Sequence, residues 1–372
     1  MEKPEPKLSH MPSHIKQKIT DKAANIGAKT LLRQVSKEFH DHAEKSPMDY
    51  VGFTIKLHAE KVILNTSEIV VSENHSSKKK LVMEFSAHED GVLQRNPASD
   101  WTKVIPGDED YRKKAIQYAL EIMGRPGTTI NELKLEVDSE MHGEDDDNDD
   151  GYSEAYPQTQ FEYDRRVILT EMERILDAFR RQLHVKKVTY EFQLNESQIL
   201  KVLSYLQPGT LTNIEFFRQF PRIENIFLNF ERISETPQWK QAKVLVVSMI
   251  YQCSIPFESL LHFEEVSACM EEVPAPVVDI IDVFLGHPNI KKFCLTLDNE
   301  YEIPGVEAYL QEFEPIGGED EDDDLEEFFD IEFLHPTERG TRISVTVGSP
   351  YLTLTREQYA TRYFSDPTER YY

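Results

Sequence analysis

The chain of 372 residues has few cysteines, and they are not spaced for a metal clip. Cys253, Cys269 and Cys294 lie 16 and 25 residues apart, each within an apolar stretch, with no CxxC pair or Cys/His spacing suited to zinc. Cysteines in such surroundings are typical of buried, reduced packing residues. The sequence therefore predicts neither a disulfide framework nor a zinc site.

Long hydrophobic runs are also missing. The longest apolar stretch, residues 244–251, has the length of a strand and falls far short of the roughly 20 residues that a membrane-spanning helix needs. Residues 1–7 are polar and proline-rich, without the apolar core of a signal peptide. We expect a protein of the cytosol or nucleus that is neither secreted nor embedded in a membrane.

Sequence motifs of catalysis are absent. The chain has no GxSxG elbow, no P-loop and no GxGxxG after a strand, and its twelve histidines are scattered without an HExxH pair. A calcium loop could begin at Asp146, but its twelfth position is Pro157 where a bidentate glutamate is needed. We therefore predict a protein that is not an enzyme and binds no cofactor or metal. The alternative that remains among enzymes is a metal-dependent hydrolase, and it would require a bound metal.

Negative charge is abundant, and it is concentrated in two tracts. The chain carries a formal charge of −26, from 67 acids and 41 bases. Residues 138–150 contain eight acids and residues 319–330 contain nine, and neither tract contains a lysine or arginine. The rest of the chain is only mildly acidic. Such a field repels phosphate backbones, so nucleic acid is an unfavourable partner.

The N-terminal residues 8–45 have the pattern of a small helical module. Ile15 and Ile19 follow Met11 and Pro12 at helical spacing, and proline suits a first helical turn. A second apolar stripe at helical spacing comprises Leu31, Leu32, Val35 and Phe39. Two short helices cannot form a stable domain alone, so their apolar faces must pack on each other and on an outside surface.

After this module the hydrophobic period changes to two. Residues 50–57, 62–64, 68–72 and 79–85 read as successive strands, with breaks at Glu60, Asn65 and residues 74–76, and with the lysines at 78–80 in a solvated turn. A helix at 110–123 and a strand at 131–137 precede the first acidic tract.

From residue 165 onward, helix and strand patterns alternate. The centres of the predicted strands are 26, 30, 22 and 27 residues apart, the period of a leucine-rich-repeat-like solenoid. These centres are Val188, Ile214, Val244, Val266 and Phe293. The repeat consensus is missing, so a plain βαβ sheet remains an alternative.

The predicted fold class is therefore α/β, or α+β for the whole chain. A small helical module precedes an initial antiparallel strand segment and then a degenerate leucine-rich-repeat-like α/β solenoid. The predicted organisation is a flexible tail at 1–7, the helical module at 8–45, a strand-rich part at 46–137, an acidic insertion at 138–164, the α/β repeats at 165–316, a second acidic insertion at 317–330, and closing strands with a tail at 331–372.

Two groups of segments resemble nematode F-box proteins that carry an FTH (F-box-associated) domain. Leu8-Ser-His-Met-Pro-Ser-His-Ile-Lys-Gln-Lys-Ile19 and Leu31-Leu-Arg-Gln-Val-Ser-Lys-Glu-Phe39 resemble the two halves of an F-box. Tyr205-Leu-Gln-Pro-Gly-Thr-Leu211, Gln238-Trp-Lys-Gln-Ala-Lys243 and Leu261-His-Phe263 resemble FTH signatures in order and spacing. The linking segment of the F-box departs from the family pattern, with Asp21-Lys-Ala-Ala-Asn-Ile-Gly27 in place of a Leu/Asp-rich link.

The resemblance implies an adaptor of a cullin-type (SCF-like) ubiquitin ligase. Its F-box would dock on a Skp-type linker subunit, and its body would hold an unknown target protein. The residues that the resemblance assigns to linker binding are Met11, Pro12, Ile15, Ile19, Leu31, Leu32, Val35 and Phe39. The signature residues expected to hold the body together are Pro208, Gly209, Trp239, Lys240, Ala242, Lys243, His262 and Phe263. Exposed strand residues or loops would then select the target.

A different class of function remains open from the residues alone. The acidic tracts suit a protein-binding or scaffold module that acts outside ubiquitination and attracts basic partners. In the second tract, Leu325, Phe328 and Phe329 are embedded among the acids, a composition that can fold against a basic partner.

Overall fold

The protein is described here by a computed structural model. It describes residues 19, 49–58, 61–72, 75–98, 101–125, 127–137, 166–167, 170–174, 177, 182–191, 195–217, 228–247, 253–270, 275–297, 306–313, 316, 328–348 and 351–358. Within the predicted helical module only Ile19 is described, as helical and half-buried. The rest of that module, the first acidic insertion and most of the second lie outside the described residues.

The chain divides into two compact units. The first comprises residues 1–192 and 201–211, and the second comprises residues 193–200 and 212–372. The strands of the first unit are β1 (Asp49–Tyr50), β2 (Gly52–His58), β3 (Lys61–Ser72), β4 (His75–His88), β5 (Gly91–Asn96), β6 (Trp101–Pro106), β7 (Thr129–Val137) and β8 (His184–Tyr190), and its helix α1 is Tyr111–Met123. Helix α2 (Glu196–Ser204) has residues in both units.

The sheet of the first unit mixes both strand directions. Its order is β8-β7-β2-β3-β4-β5-β6, with β1 also pairing with β7. Strands β2 to β6 form an antiparallel meander, whereas β7 lies parallel to both β2 and β8. The antiparallel meander agrees with the period-two pattern of the sequence.

Helix α1 covers one face of this sheet. Asp110 caps its first turn by accepting a hydrogen bond from the Arg112 N–H at 2.7 Å, and its apolar stripe includes the fully buried Ala115 and Ile116. Gly124 ends the helix by donating to the Leu120 carbonyl at 2.8 Å. A Cβ at Gly124 would lie 2.9 Å from that carbonyl oxygen, so a larger residue would disturb the cap.

The second unit has parallel strands at its centre and antiparallel strands at one side. Its strands are β9 (Asn213–Phe216), β10 (Leu228–Asn229), β11 (Val244–Val247), β12 (Cys253–Ser254), β13 (Glu265–Met270), β14 (Lys292–Leu297), β15 (Phe328–Leu334), β16 (Thr341–Gly348) and β17 (Tyr351–Gln358). Its helices are α3 (Glu231–Ser234), α4 (Pro237–Gln241), α5 (Val277–Gly286) and α6 (Val306–Leu310), with a 3-10 turn at Phe257–Ser259.

Four of these strands lie parallel and side by side in chain order. The sheet order is β9-β11-β13-β14-β17-β16-β15; the pairs from β9 to β14 are parallel, and those from β14 to β15 are antiparallel. Strands β10 and β12 form a separate parallel pair. Parallel neighbours need crossover connections, and these carry the helices and the 3-10 turn.

Helix α5 is fastened to the antiparallel strands at its C-terminal end. The Arg356 guanidinium donates to the carbonyls of Phe284 and His287, both at 2.7 Å, and lies 5.1 Å from the centre of the Phe284 ring. The His335 Nε2 donates to the Leu285 carbonyl at 2.9 Å, while its Nδ1 accepts from the Glu338 N–H at 3.0 Å. These side chains satisfy carbonyls that a helix end otherwise leaves unpaired.

The observed architecture is a mixed α/β protein dominated by strands, with few helices in the described residues. The mixed α/β class is confirmed, whereas a solenoid and an N-terminal helical module are not shown. Two local predictions are wrong. Asn65 does not break a strand, and the lysines at 78–80 do not form a turn, because β3 and β4 pair continuously along that whole length. The backbone register sets Lys79 opposite Glu68 within this ladder.

Two further elements differ from the sequence patterns. The apolar pattern of residues 256–262 predicts a helix, but only the 3-10 turn Phe257–Ser259 forms there, and no pattern predicts the short helices α3 and α4. These elements have three to five residues, which is too short for a helical hydrophobic period to be recognised in the sequence.

We expect Arg356→Met to lower the free energy of unfolding by about 2–3 kcal/mol, because it leaves the carbonyls at the end of α5 without their charged donor. Chemical denaturation of the full chain measures this loss. The matched control is Arg339→Met, at an exposed position in the same unit. Equal stability of the two variants would contradict the fastening role of Arg356.

Candidate functional site

Two of the predicted signature residues form a tight turn after α2. The Thr210 N–H donates to the Gln207 carbonyl at 3.3 Å, so residues 207–210 close a β-turn. Pro208 occupies its second position and Gly209 its third, with φ of +79° at the glycine. A type II turn prefers proline and glycine at these positions, because the third residue must have positive φ. The role of Pro208 and Gly209 is therefore to direct the chain from α2 toward β9.

Trp239 lies at the centre of an aromatic cluster in the second unit. Its side chain is fully buried, and its ring centre lies 5.5 Å from that of Phe230 and 5.2 Å from that of Phe263. Phe230 in turn contacts Phe216, the last residue of β9, at 5.4 Å. The indole N–H donates to the Ser259 carbonyl at 3.2 Å, so the polar edge of the ring is also satisfied. Trp239 thus joins α4, β9 and the segment before β13.

The signature residues around Trp239 support it. Thr236 caps α4 through a hydrogen bond from the Trp239 N–H at 3.3 Å, and Ala242 ends the helix in a buried position. The His262 Nε2 lies 2.8 Å from the Trp239 carbonyl, and the His262 ring contacts that of Phe263. Burial lowers the pKa of His262 below its ordinary 6.5, although hydrogen bonds to backbone carbonyls oppose the shift. The imidazole is therefore neutral at pH 7.

Lys243 begins a row of alternating charge at the entry to the parallel strands. The Glu264 carboxylate binds the Lys243 ammonium at 2.7 Å and the Lys291 ammonium at 2.6 Å. Both lysines are exposed, and each precedes a strand of the sheet. The bond to Lys243, together with that to Lys291, lowers the pKa of Glu264 below its ordinary 4.5. This row ties together the starts of β11, β13 and β14.

A groove of about 540 Å³ lies beside the aromatic cluster. It is lined by Glu231, Ser234, Glu235, Trp239, Lys240, Pro256, Glu258, Ser259 and His262. The Lys240 ammonium binds Glu235 at 2.7 Å. The Ser234 and Ser259 hydroxyls both donate to backbone carbonyls at 2.7 Å, and the His262 Nε2 also faces a carbonyl. Among the described residues of this groove, no serine is therefore positioned to be activated by the histidine.

The sheet of the second unit has two chemically different faces. Alternate residues of β9 and β11 are buried and half-buried, and the buried ones face the aromatic cluster and helices. The half-buried ones form the opposite face, here called the open face. Its middle row runs in register across six strands as Glu215, Val246, Ser267, Cys294, Thr353 and Thr346.

The centre of the open face carries small, uncharged side chains. Val246, Ser267, Cys294, Thr353 and Thr346 are all half-buried. The Cys294 sulfur lies 3.4 Å from the Thr353 hydroxyl oxygen. This side-chain hydrogen bond joins β14 and β17 on the open face, in addition to their backbone pairing. These five side chains carry no formal charge, so covering them requires little desolvation.

The comparison with known families singles out this part of the chain. Residues 166–311 match the FTH domain. All eight signature residues, as well as β9, β11, β13 and β14, lie within the matched range. The match does not extend to residues 8–45. No curated protein and no solved structure matches the chain.

One face of the sheet of the first unit is rich in ion pairs. Lys134 binds Glu136 at 3.0 Å and Glu191 at 2.7 Å, and Glu84 binds both Lys61 and Arg95. Burial lowers the pKa of Lys134, but the two glutamates outweigh it, so that its pKa is raised overall. These charges satisfy one another in pairs.

The residues predicted to bind a linker subunit cannot be compared with the structure, apart from the half-buried, helical Ile19. The other seven, Met11, Pro12, Ile15, Leu31, Leu32, Val35 and Phe39, lie outside the described residues. The sequence reasoning did not name the residues of the open face. The alternation of apolar residues in β9 and β11 predicts strands. The half-buried residues between them form one surface only because the strands are in register, and a sequence pattern does not show that register.

A metal site finds little support in the described residues. His88, Glu89 and Asp90 lie close enough to share an ion at the turn between β4 and β5. The His88 Nδ1, however, already accepts a hydrogen bond from the Asp90 N–H at 3.1 Å. The turn between β4 and β5 is therefore sufficient to explain why these three side chains lie close together. None of the helices that the structure describes has the length and apolar content to span a bilayer.

Glu264→Gln tests the charged row through the pH dependence of stability. A carboxylate whose pKa is lowered by folding stabilises the protein above its unfolded pKa, and this contribution is lost as the pH falls through the folded pKa. We therefore expect the variant to be less stable at pH 7, by less than Arg356→Met, since both lysines are exposed. The difference from wild type should shrink below pH 4.5. Urea unfolding across pH 3–7 measures it.

The control for this experiment is Glu312→Gln, at an exposed position after α6 in the same unit. It should follow the wild type at every pH. A constant difference between Glu264→Gln and wild type down to pH 3 would show that the ion pairs do not stabilise the fold.

Proposed function

We propose that this protein is a non-catalytic adaptor of a cullin-type ubiquitin ligase, in which residues 8–45 bind a Skp-type linker subunit and the FTH domain holds a target protein. The observation that carries the proposal is the match of residues 166–311 to the FTH domain, which is associated with F-box proteins. The resemblance of residues 8–45 to an F-box adds to it. The same resemblance favours a nematode protein, and an adaptor of this kind would act in the cytosol or nucleus.

The linker contact is proposed from the apolar stripes of residues 8–45. An amphipathic helix can place its apolar face in a groove of a partner, with anchors at i, i+3, i+4 and i+7 spacing. Leu31, Leu32, Val35 and Phe39 have this spacing. Centrally buried anchors of such size contribute most of the binding energy at an interface.

The target contact is proposed on the open face of the FTH sheet. The signature residues are engaged in the turn, the aromatic cluster and the charged row, so they maintain the frame. Val246, Ser267 and Thr346 of the open face belong to none of these three groups, so they are the side chains proposed to contact the target. Because β9, β11, β13 and β14 are parallel and consecutive, we also propose that they stack as repeats of a short solenoid, which would hold the target at a fixed distance.

In this proposal the protein accelerates ubiquitination by proximity alone. Holding a target and a ubiquitin-conjugating enzyme on one frame raises the effective concentration of a target lysine near the reactive thioester. No side chain of the adaptor needs to touch the reacting atoms.

The acidic tracts support a second candidate function, as a binding module for basic proteins outside ubiquitination. The observation that favours it is the concentration of 17 acids in two stretches without a base. Deletion of residues 138–150 and 319–327 separates the two ideas. Loss of all partner binding on deletion, with no effect of changes in residues 8–45, favours the scaffold.

The linker contact is tested with Leu32→Lys/Val35→Lys in the full chain and a purified Skp-type subunit. We expect affinity to fall at least about 30-fold, the factor that corresponds to 2 kcal/mol for a buried anchor. Isothermal titration calorimetry measures it. Leu334→Lys is the control, since Leu334 is an exposed leucine of the second unit and its replacement should leave binding unchanged. Absence of linker binding by the wild type would refute the adaptor role.

The target contact is tested by Val246→Lys, matched with Val82→Lys. Both valines are half-buried strand residues, one on the open face and one on the ion-paired face of the first unit. Affinity purification should recover the target from proteasome-inhibited cells with wild type and Val82→Lys, and lose it with Val246→Lys. The Leu32→Lys/Val35→Lys variant should retain the target even without inhibition. Equal recovery with both valine variants would place the target elsewhere.

A further inference from the structure

Strand β6 ends the sheet of the first unit on one side. In the part of the chain that the structure describes, it pairs with β5 alone. An edge strand directs the N–H and C=O groups of alternate residues away from its neighbour, where water or a further strand must pair with them. All six residues of β6 are exposed or half-buried. The outer edge of β6 is therefore accessible to a further strand.

The edge strand of the second unit differs from β6 in this respect. Strand β15 ends the sheet of that unit, but the carbonyl of its residue Glu332 accepts a hydrogen bond from the Ile316 N–H at 2.6 Å. Part of the outer edge of β15 is thus already paired. Among the described residues outside β5, none makes such a backbone bond to β6.

One row of side chains leads across the sheet to the exposed edge. Opposite residues of antiparallel strands lie on the same face, so Phe85, Gln94 and Lys103 form a row across β4, β5 and β6. The Phe85 ring contacts Tyr118 of α1, with ring centres 5.5 Å apart, and Gln94 is buried. Lys103 continues the row and is exposed. The next residue of this row, on an added strand, would have its Cβ about 5 Å from that of Lys103.

The side chains of β6 on this face define what an added strand would need. Lys103 forms no ion pair with a described acid. Trp101, two residues away on the same face, is 43% exposed, and Ile105 on the other side of Lys103 is half-buried. An acid opposite Lys103 would pair with its charge, while apolar side chains two residues to either side of that acid would cover Trp101 and Ile105.

We propose that the outer edge of β6 binds an extended segment of another protein as an added strand, with an acid opposite Lys103 and apolar residues at the alternate positions beside it. In this mode of recognition the main-chain hydrogen bonds give affinity and the alternate side chains give specificity. The site lies outside the FTH range, and it rests neither on the linker contact nor on the open face.

A second copy of the chain is a poor occupant of this edge. Two β6 strands that pair about their centres bring both Lys103 ammonium groups together, and like charges on opposite strands are destabilising. Two molecules of charge −26 also repel each other at longer range. The same negative charge disfavours a segment rich in acids, so the partner strand should carry one acid among uncharged residues.

A library of random peptides displayed on phage tests the proposal with the wild-type full chain as bait. The enriched peptides should share an acid with apolar, mainly β-branched residues two positions to either side. One of them is synthesised, and fluorescence polarisation measures its affinity. We expect affinity to fall at least about fivefold for Lys103→Glu, because attraction across the strands becomes repulsion. A peptide with lysine in place of the acid should recover binding to this variant.

The matched control is Lys113→Glu, an exposed lysine of α1 in the same unit, which should bind the peptide as the wild type does. A second measurement concerns the backbone. An added strand uses the N–H groups of alternate residues, so methylation of one alternate set of peptide nitrogens should abolish binding and methylation of the other set should not.

Three outcomes would overturn the inference. The first is that no enriched peptides share the pattern of one acid between apolar residues. The second is equal affinity of Lys103→Glu and Lys113→Glu for the peptide, and the third is that both methylated forms behave alike. Neither linker nor target is present in these experiments, so failure of the adaptor function would leave their result unaffected.

Discussion

The register of the second unit is held by a relay of backbone hydrogen bonds at the entry to its strands. The Lys243 N–H donates to the Thr212 carbonyl, the Glu264 N–H to that of Lys243, and the Lys291 N–H to that of Glu264, each at 2.7 Å. The Arg356 N–H continues the relay to Lys291 at 2.8 Å, across the change from parallel to antiparallel pairing. Because side chains alternate along a strand, a slip of one residue would exchange the two faces of the sheet. The aromatic cluster and the open face both depend on this alignment.

The side chains at the same positions reinforce the relay. The Glu264 carboxylate binds Lys243 and Lys291, which precede β11 and β14, the two neighbours of β13. The Arg356 side chain extends from the sheet to the C-terminal end of α5. The rings of Trp239 and Phe263 contact each other behind the sheet. Because α4 is only five residues long, its stability depends on this packing. The residues that resemble the FTH signature thus lie at positions where successive strands and their connections are joined.

The sequence predicted the positions of β9, β11, β13 and β14 to within a few residues, because their apolar runs are bounded by polar breaks, but it did not predict the two-residue strands β10 and β12. It failed at β3 and β4, where polar residues such as Asn65 and Lys79 occur within paired strands. Backbone pairing across a long hairpin outweighed local composition there. The open face was not predictable in the same way. Val246 and Cys294 are 48 residues apart, and only the register of three strands brings them into one row.

The alternation of side chains along β11, β13 and β14 separates two demands on the sequence. Leu245, Val266 and Phe293 point into the core and determine stability, while their immediate neighbours on the open face contribute little to it. Substitutions at those neighbours can therefore accumulate without unfolding the protein. A sheet built in this way can change the chemistry of one whole surface while its scaffold stays the same, so two sequences with similar cores can differ widely on that surface.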